Sequence, residues 1–403
     1  MRESRPFPPM ISLARYAQLF AQPEMRGVIL ASLIGRLPIG ISGLALLLLV
    51  QANEASVGEA GLVTAMYLAG LAGAAPFVGR VIDRLGPRPV LLAAGLAYPV
   101  ALVALVTALS RGAALSVVIL LSVAAGATLP QISSCMRTLY RRRLQDDALL
   151  VAALSLDSVL IELVFIVGPM LVAFLVAAAS PATAVLFGAF CGAVGALIIT
   201  RVPAVRHWPV EPAAAADLLG VLRDATFRRL LAVLLGYASV FGLVEIGIVA
   251  HAIEGGRPAL AGVILGVMSI GSAAGGLAYG SRPWHLPLTR QFALALIVMG
   301  VAVIPLAFIR SPVLLAVVGA LSGITMAPPL IIQSTIVARS MPTHRMAEAF
   351  TWVTTAMLIG VGLGFAWGGV IAEQGGAFAV FLLSGTISVA MGAVASRLLR
   401  TAA

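Results

Sequence analysis

Twelve stretches of this chain are apolar over about the ~20 residues that a helix needs to cross ~30 Å of hydrocarbon. They run over residues 27–50, 58–78, 90–109, 113–135, 148–173, 183–200, 228–250, 259–280, 290–309, 312–335, 346–371 and 377–396. A backbone in hydrocarbon finds no water to bond, so each run must close its own hydrogen bonds as a helix. The expected fold is an all-α integral membrane protein with twelve transmembrane helices. A soluble chain is about half apolar and a quarter charged. Here 61% of residues are apolar and 10% charged, which excludes a water-soluble globular domain.

The net charge of +10 invites a nucleic-acid partner, but the placement of the charge argues against one. All 26 basic residues are arginine. Twenty-two fall in the termini and one alternate set of loops, three (Arg111, Arg257, Arg310) on the other side, and Arg36 inside a run. That asymmetry is the positive-inside rule, and it puts both ends of the chain in the cytoplasm. The absence of lysine points to a high-GC bacterial genome, hence to a bacterial cytoplasmic membrane. Residues 1–25 carry charge and proline, so no cleavable signal peptide is expected. Short surface helices are expected over Ile11–Ala21 and Ala213–Arg223. Cys135 and Cys191 read as packing residues, and the four histidines show no ligand spacing. No metal, no cofactor and no catalytic nucleophile is expected, so the chain is not read as an enzyme.

The connection between the second and third runs is Gly79-Arg-Val-Ile-Asp-Arg-Leu-Gly-Pro-Arg-Pro, ending in Val90-Leu-Leu92. Gly86 suits the positive φ that so short a turn often needs. Arg80, Arg84 and Arg88 hold the turn on the cytoplasmic side. Asp83 stands among them, placed to pair with an arginine or a neighbouring helix N-terminus. The segment resembles the signature loop between helices two and three of the major facilitator superfamily. Gly79, Asp83, Arg84, Gly86 and Arg88 match that pattern, while Pro87 replaces the first arginine of its closing pair. The resemblance implies two six-helix halves facing each other across a cavity, residues 1–200 and 227–403, joined by a cytoplasmic linker at 201–226. It also implies a gating role for the loop, with Asp83 bridging to Arg137 or to the start of the eleventh helix near Glu348.

Repeats support two halves. Gly35, Gly61 and Gly79 recur as Gly236, Gly262 and Gly280 at a constant offset of 201, and Gly126 resembles Gly323 at a nearby one. Gly360, Gly362, Gly364 and Gly368 loosely resemble a nucleotide loop, but they lie in an apolar run and read as close helix packing.

Charges inside hydrocarbon are costly and mark functional candidates. Four lie within the runs: Arg36, Asp157, Glu162 and Glu245. Arg36 and Asp157 lie at similar depth, roughly 15 Å from the cytoplasmic face at 1.5 Å per residue. Arg36 can pair with Asp157 or with Glu162. Asp157 and Glu162 lie about 140° apart around one helix, so both cannot face one partner. The pairing can be purely structural. Alternatively an acid moves between an arginine's neighbourhood and a dry pocket, changes its proton affinity and couples proton movement to transport. Glu162 is the first candidate for that role and Glu245 the second. Gly168-Pro169 marks a helix kink and resembles the core of the antiporter motif of drug exporters, although most of that motif's other glycines are missing. The fourth run, ending at Cys135, lacks the embedded arginine of many proton antiporters. The expected activity is secondary transport by alternating access: proton-coupled efflux of small amphipathic molecules by a monomer in the lipid bilayer. The alternative is import of an anionic metabolite with Arg36 as its counter-ion.

Overall fold

The computed structural model describes residues 13–21, 23–144, 146–206, 220–282, 284–341 and 345–398. It is helical throughout, with no strand among them. A surface helix α1 (Leu13–Ala21) precedes α2 (Pro23–Gln51), α3 (Val57–Leu85), α4 (Pro87–Ser110), α5 (Leu115–Thr128), α6 (Ile132–Arg143), α7 (Asp147–Ala178), α8 (Pro181–Arg201) and the short α9 (Pro203–Arg206). After the linker come α10 (Ala225–Glu254), α11 (Leu260–Gly280), α12 (Leu288–Val303), α13 (Pro312–Gly323), α14 (Ala327–Ser340) and α15 (Met346–Leu398).

Eleven helical stretches among the described residues are long and apolar enough to cross a membrane. The last, Glu348–Leu398, has 51 residues, about twice what one crossing needs. It is two spans run together at Gly376, whose φ of 62° breaks the helical path. This is a multi-pass membrane protein with twelve spans. Span four is α5 plus α6: Pro130 cannot donate to the helical ladder, and the chain restarts at Ile132. Span ten likewise divides into α13 and α14.

Helix ends follow the local sequence. Ser56 and Glu59 form a capping box at the start of α3, and Asp224 caps α10 through the Thr226 and Phe227 N–H groups. Gly86, at φ 79°, ends α3 by donating its N–H to Ile82 O at 2.8 Å, and Pro87 opens α4 at its first position. The departure of Pro87 from the signature pattern thus supplies a helix start whose missing N–H costs nothing. Of the two surface helices expected from the sequence, the first is α1. Most of the second lies outside the described residues, with one 3-10 turn at Val221–Arg223.

The repeated glycines show how the halves correspond. Gly61 of span two lies against the Phe365 carbonyl of span eleven, and its repeat Gly262 of span eight lies against the Pro169 carbonyl of span five. Gly35 of span one faces Gly195 of span six, and its repeat Gly236 of span seven faces Met391 of span twelve. Gly126 of span four meets the Tyr67 carbonyl of span two. Gly323 of span ten meets that of Met268 in span eight, and Tyr67 and Met268 are themselves 201 apart. Gly79 and Gly280, at matching helix ends, are both open. Each pair therefore occupies equivalent places in two pseudo-symmetric six-helix halves.

The two halves meet mainly along two seams, span two with span eleven and span five with span eight. In the first, Gly369 sits on the Val57 carbonyl, and Glu373 Oε1 accepts the Gly58 N–H at 2.8 Å across the boundary. In the second, Gly266 packs on Met170 one turn below the Gly262 contact. These approaches fall toward the face remote from the linker and from the Gly79–Leu92 loop, called here the distal face. The opposite one is the basic face.

Candidate functional site

Arg36 and Asp157 are paired inside the first half: Nη2 of Arg36 donates to Oδ1 of Asp157, and both side chains are almost wholly buried. The second carboxylate oxygen, Oδ2, accepts from Nε of Arg137 at 3.2 Å. The Arg137 side chain is 53% exposed, so one aspartate links a sealed guanidinium to an accessible one. Among the described residues Nε and Nη1 of Arg36 have no hydrogen-bond acceptor, and the buried hydroxyl of Tyr140, within electrostatic reach of both charges, has no hydrogen-bond partner.

Arg137 extends the reading of span four. The helical stretch runs over Leu115–Tyr140, beyond Cys135, and carries this arginine near its basic end. The sequence hid it because the neighbouring run Arg141–Arg143 pulls the segment into a basic loop. The two partners expected for Asp83, Arg137 and the start of span eleven near Glu348, each have a contact of their own. Arg137 binds Asp157, and Glu348 Oε1 accepts the Val221 N–H of the linker at 2.9 Å. The Asp83 side chain lies outside the described part of the structure. Gly79, Arg84, Gly86 and Arg88 form the turn itself, with both arginines exposed. Arg80 lies over the Phe77 ring at 5.7 Å.

Glu162 does not bond to Arg36. It stands one helical turn before Ile166, whose carbonyl lies against Gly266 of span eight, and two before Met170, whose side chain packs there. Side chains four apart share a helix face, so Glu162 prolongs this seam past its last close contact, where it is half-buried. Glu245 lies in the other half, yet its Oε1 would be 3.2 Å from a Cβ on Gly43 of span one, beside the Phe365 ring. It is partly buried where spans one, seven and eleven meet. Neither acid has an ion pair among the described residues. The four charges thus divide in two: Arg36 and Asp157 inside the first half, Glu162 and Glu245 on surfaces where halves meet.

Gly168 and Pro169 lie at the crossing of three spans. A Cβ on Gly168 would be 2.6 Å from the Gly40 backbone of span one, while Pro169 offers its carbonyl to Gly262. Span five remains one helix across them. Gly360 and Gly364 pack on the Leu235 and Ser239 carbonyls of span seven, so that run serves helix contact. Buried hydroxyls join other spans: Tyr237 donates to Gln333 Oε1 at 2.6 Å, and Ser42 lies 2.9 Å from the Tyr98 hydroxyl. Both cysteines are buried without a disulfide, and no group of three metal-ligating side chains occurs among the described residues.

Twelve spans in two repeated halves set the frame for comparison with known proteins. The Major Facilitator Superfamily model matches residues 28–286, more than half the chain. The chain belongs to this superfamily. Solved structures of major facilitator transporters share its fold. A variant of the nucleoside transporter NupG superposes with a TM-score of 0.73 at 16% identity, covering 93% of this chain and 99% of that one. The human organic anion transporter MFSD10 (TETRAN) gives 0.63 at 18% identity, covering 93% and 99%. Among curated protein sequences none matches. At such identities the likeness speaks for the fold alone. This major facilitator chain is a membrane transporter by family, and its substrate must be argued from its own residues.

Proposed function

We propose that the chain is a proton-coupled exporter of small amphipathic molecules, neutral or cationic, working by alternating access. The observation that carries this reading is the division of the intramembrane charges. Arg36 is sealed behind Asp157, whereas the acids Glu162 and Glu245 lie where the halves meet. A substrate between the halves meets carboxylates and apolar side chains such as Leu68, Ile166, Met170 and Phe365. Import of an anion on Arg36 would require breaking a buried pair first, at a cost of several kcal/mol.

The two acids occupy different levels. Glu245, roughly 13 Å from the distal end of span seven, is covered while the seams are closed. Glu162 lies roughly 24 Å from the distal end of span five, beyond the contact with span eight. Rocking of residues 1–200 against 227–403 uncovers Glu245 toward the distal face and covers Glu162. A proton taken up on one side and released on the other would drive the cycle, with Asp157 and Arg137 adjusting the charge near Glu162. The arginine asymmetry supports a bacterial cytoplasmic membrane with both termini inside.

The test uses membrane vesicles with the basic face outward. An acid lumen should drive rhodamine 6G inward against its gradient, and a protonophore should abolish that accumulation. Movement of a small organic anion under the same gradient, with no dye accumulation, would overturn the reading in favour of import.

A further inference from the structure

A cavity of about 750 Å³ opens on the distal face of the second half, apart from both seams. Its walls are the end of span seven with its following turn, the connection between spans nine and ten, and the first residues of span twelve. No residue of the first half lines it. Its volume falls in the range of ordinary ligand pockets, ~300–1,000 Å³.

The charge of this cavity is unusual for its side of the membrane. Only three of 26 arginines lie at the distal face, and two of them, Arg257 and Arg310, line this one cavity. Both are exposed, and neither has an ion pair among the described residues. They approach from separate connections in the chain, joined by His251. The acid present, Glu254, is already engaged: its Oε1 accepts the Ala377 N–H at 3.0 Å and caps span twelve. Two guanidiniums against one carboxylate leave a net positive charge among the described residues that line the cavity.

The other wall is aromatic. Phe308 and Phe378 meet edge to face at 5.5 Å, and they are 69% and 48% exposed. Phenylalanine has no polar handle, so rings exposed at the end of a span lie against acyl chains, just below the headgroups. Guanidiniums form paired hydrogen bonds to phosphate oxygens. Two cations above and two rings below therefore suit one kind of occupant, a phosphate joined to a hydrocarbon tail. A small soluble anion would leave the rings unused, and a lipid without a phosphate would leave the arginines unanswered; a zwitterionic phospholipid brings an ammonium group beside its phosphate, which two guanidiniums against one carboxylate disfavour.

We propose that this cavity binds the headgroup of an anionic phospholipid from the distal leaflet. Arg257 and Arg310 hold its phosphate, and Phe308 and Phe378 line the first part of its tail. The site joins spans seven, nine, ten and twelve at one end, so an occupant stiffens the second half against its rocking partner.

Native mass spectrometry of the full chain tests this, after reconstitution in phosphatidylcholine nanodiscs with or without added phosphatidylglycerol. The wild type should retain phosphatidylglycerol selectively. The exposed double variant Arg257→Gln/Arg310→Gln should lose that preference by roughly 30-fold, from about 1 kcal/mol per basic residue. Arg257→Lys/Arg310→Lys should restore part of it, and Arg282→Gln/Arg290→Gln on the basic face should leave it intact. Equal retention by wild type and the glutamine variant would overturn the site. Thermal stabilisation of the wild type by soluble glycerol phosphate, equal to that by phosphatidylglycerol, would overturn the lipid assignment in favour of a soluble phosphate.

Discussion

At Asp157 one carboxylate answers two guanidiniums of very different exposure. Burying a charge pair gains little net stability, because the ions lose their water, whereas removing one partner strands the other. Two nitrogens of Arg36 without acceptors among the described residues add to that cost, at about 1–3 kcal/mol for an unmade bond. The arrangement is therefore not one that stability alone would favour. Asp157→Leu strands Arg36 and should destabilise the protein by about 3–5 kcal/mol, while Arg36→Met should cost less, because Asp157 keeps Arg137. The double variant should be less destabilised than either, because no buried charge is left behind and Arg137 can turn to water. Thermal unfolding in detergent reads this cycle, and additive losses would refute it. Arg36 and Asp157 were legible in the sequence because charges in apolar runs stand out. Arg137 was not, because its place in span four depends on a helix that continues past Pro130. Which surface each acid faces depends on neighbours hundreds of residues away, such as Gly43 for Glu245.

At the scale of the elements, glycine decides how closely the spans approach. Gly61 and Gly262 each bring a backbone carbonyl from the opposite half to where a methyl group would sit. Alanine at either place overpacks its seam, a change that costs about 1–3 kcal/mol. The closed form alone bears that cost, so its ratio to the distal-open form should fall by roughly 5- to 150-fold. Gly61→Ala and Gly262→Ala should each speed labelling of Val57→Cys by an impermeant maleimide from the distal face. Gly280→Ala, which meets nothing, serves as the control. Equal labelling in all three would contradict the seam. The repeat of these glycines could be read directly from their constant offset. The helices they touch could not, since spacing along a chain says nothing of which span lies beside it. The loop at Gly86 was more fully legible, because a positive φ followed by Pro87 is local chemistry.

For the whole molecule, superfamily membership and the seams describe two bodies that touch near the distal face and share a boundary bearing two acids. Twelve spans could be counted from hydropathy, although span twelve joins span eleven through a single glycine. The symmetry makes rocking the natural motion, because equivalent helices form both seams. Whether that motion carries protons rests on Glu162 and Glu245. The most direct measurement places the full chain in liposomes under an imposed pH gradient, following lumenal pH and rhodamine 6G together. The wild type should concentrate the dye and discharge the gradient as it does so. Glu162→Gln and Glu245→Gln should each still equilibrate the dye downhill but lose gradient-driven accumulation by at least ~10-fold, the scale of a 1.4 kcal/mol change. Accumulation at the wild-type level in both variants, with the gradient still discharged, would contradict the account.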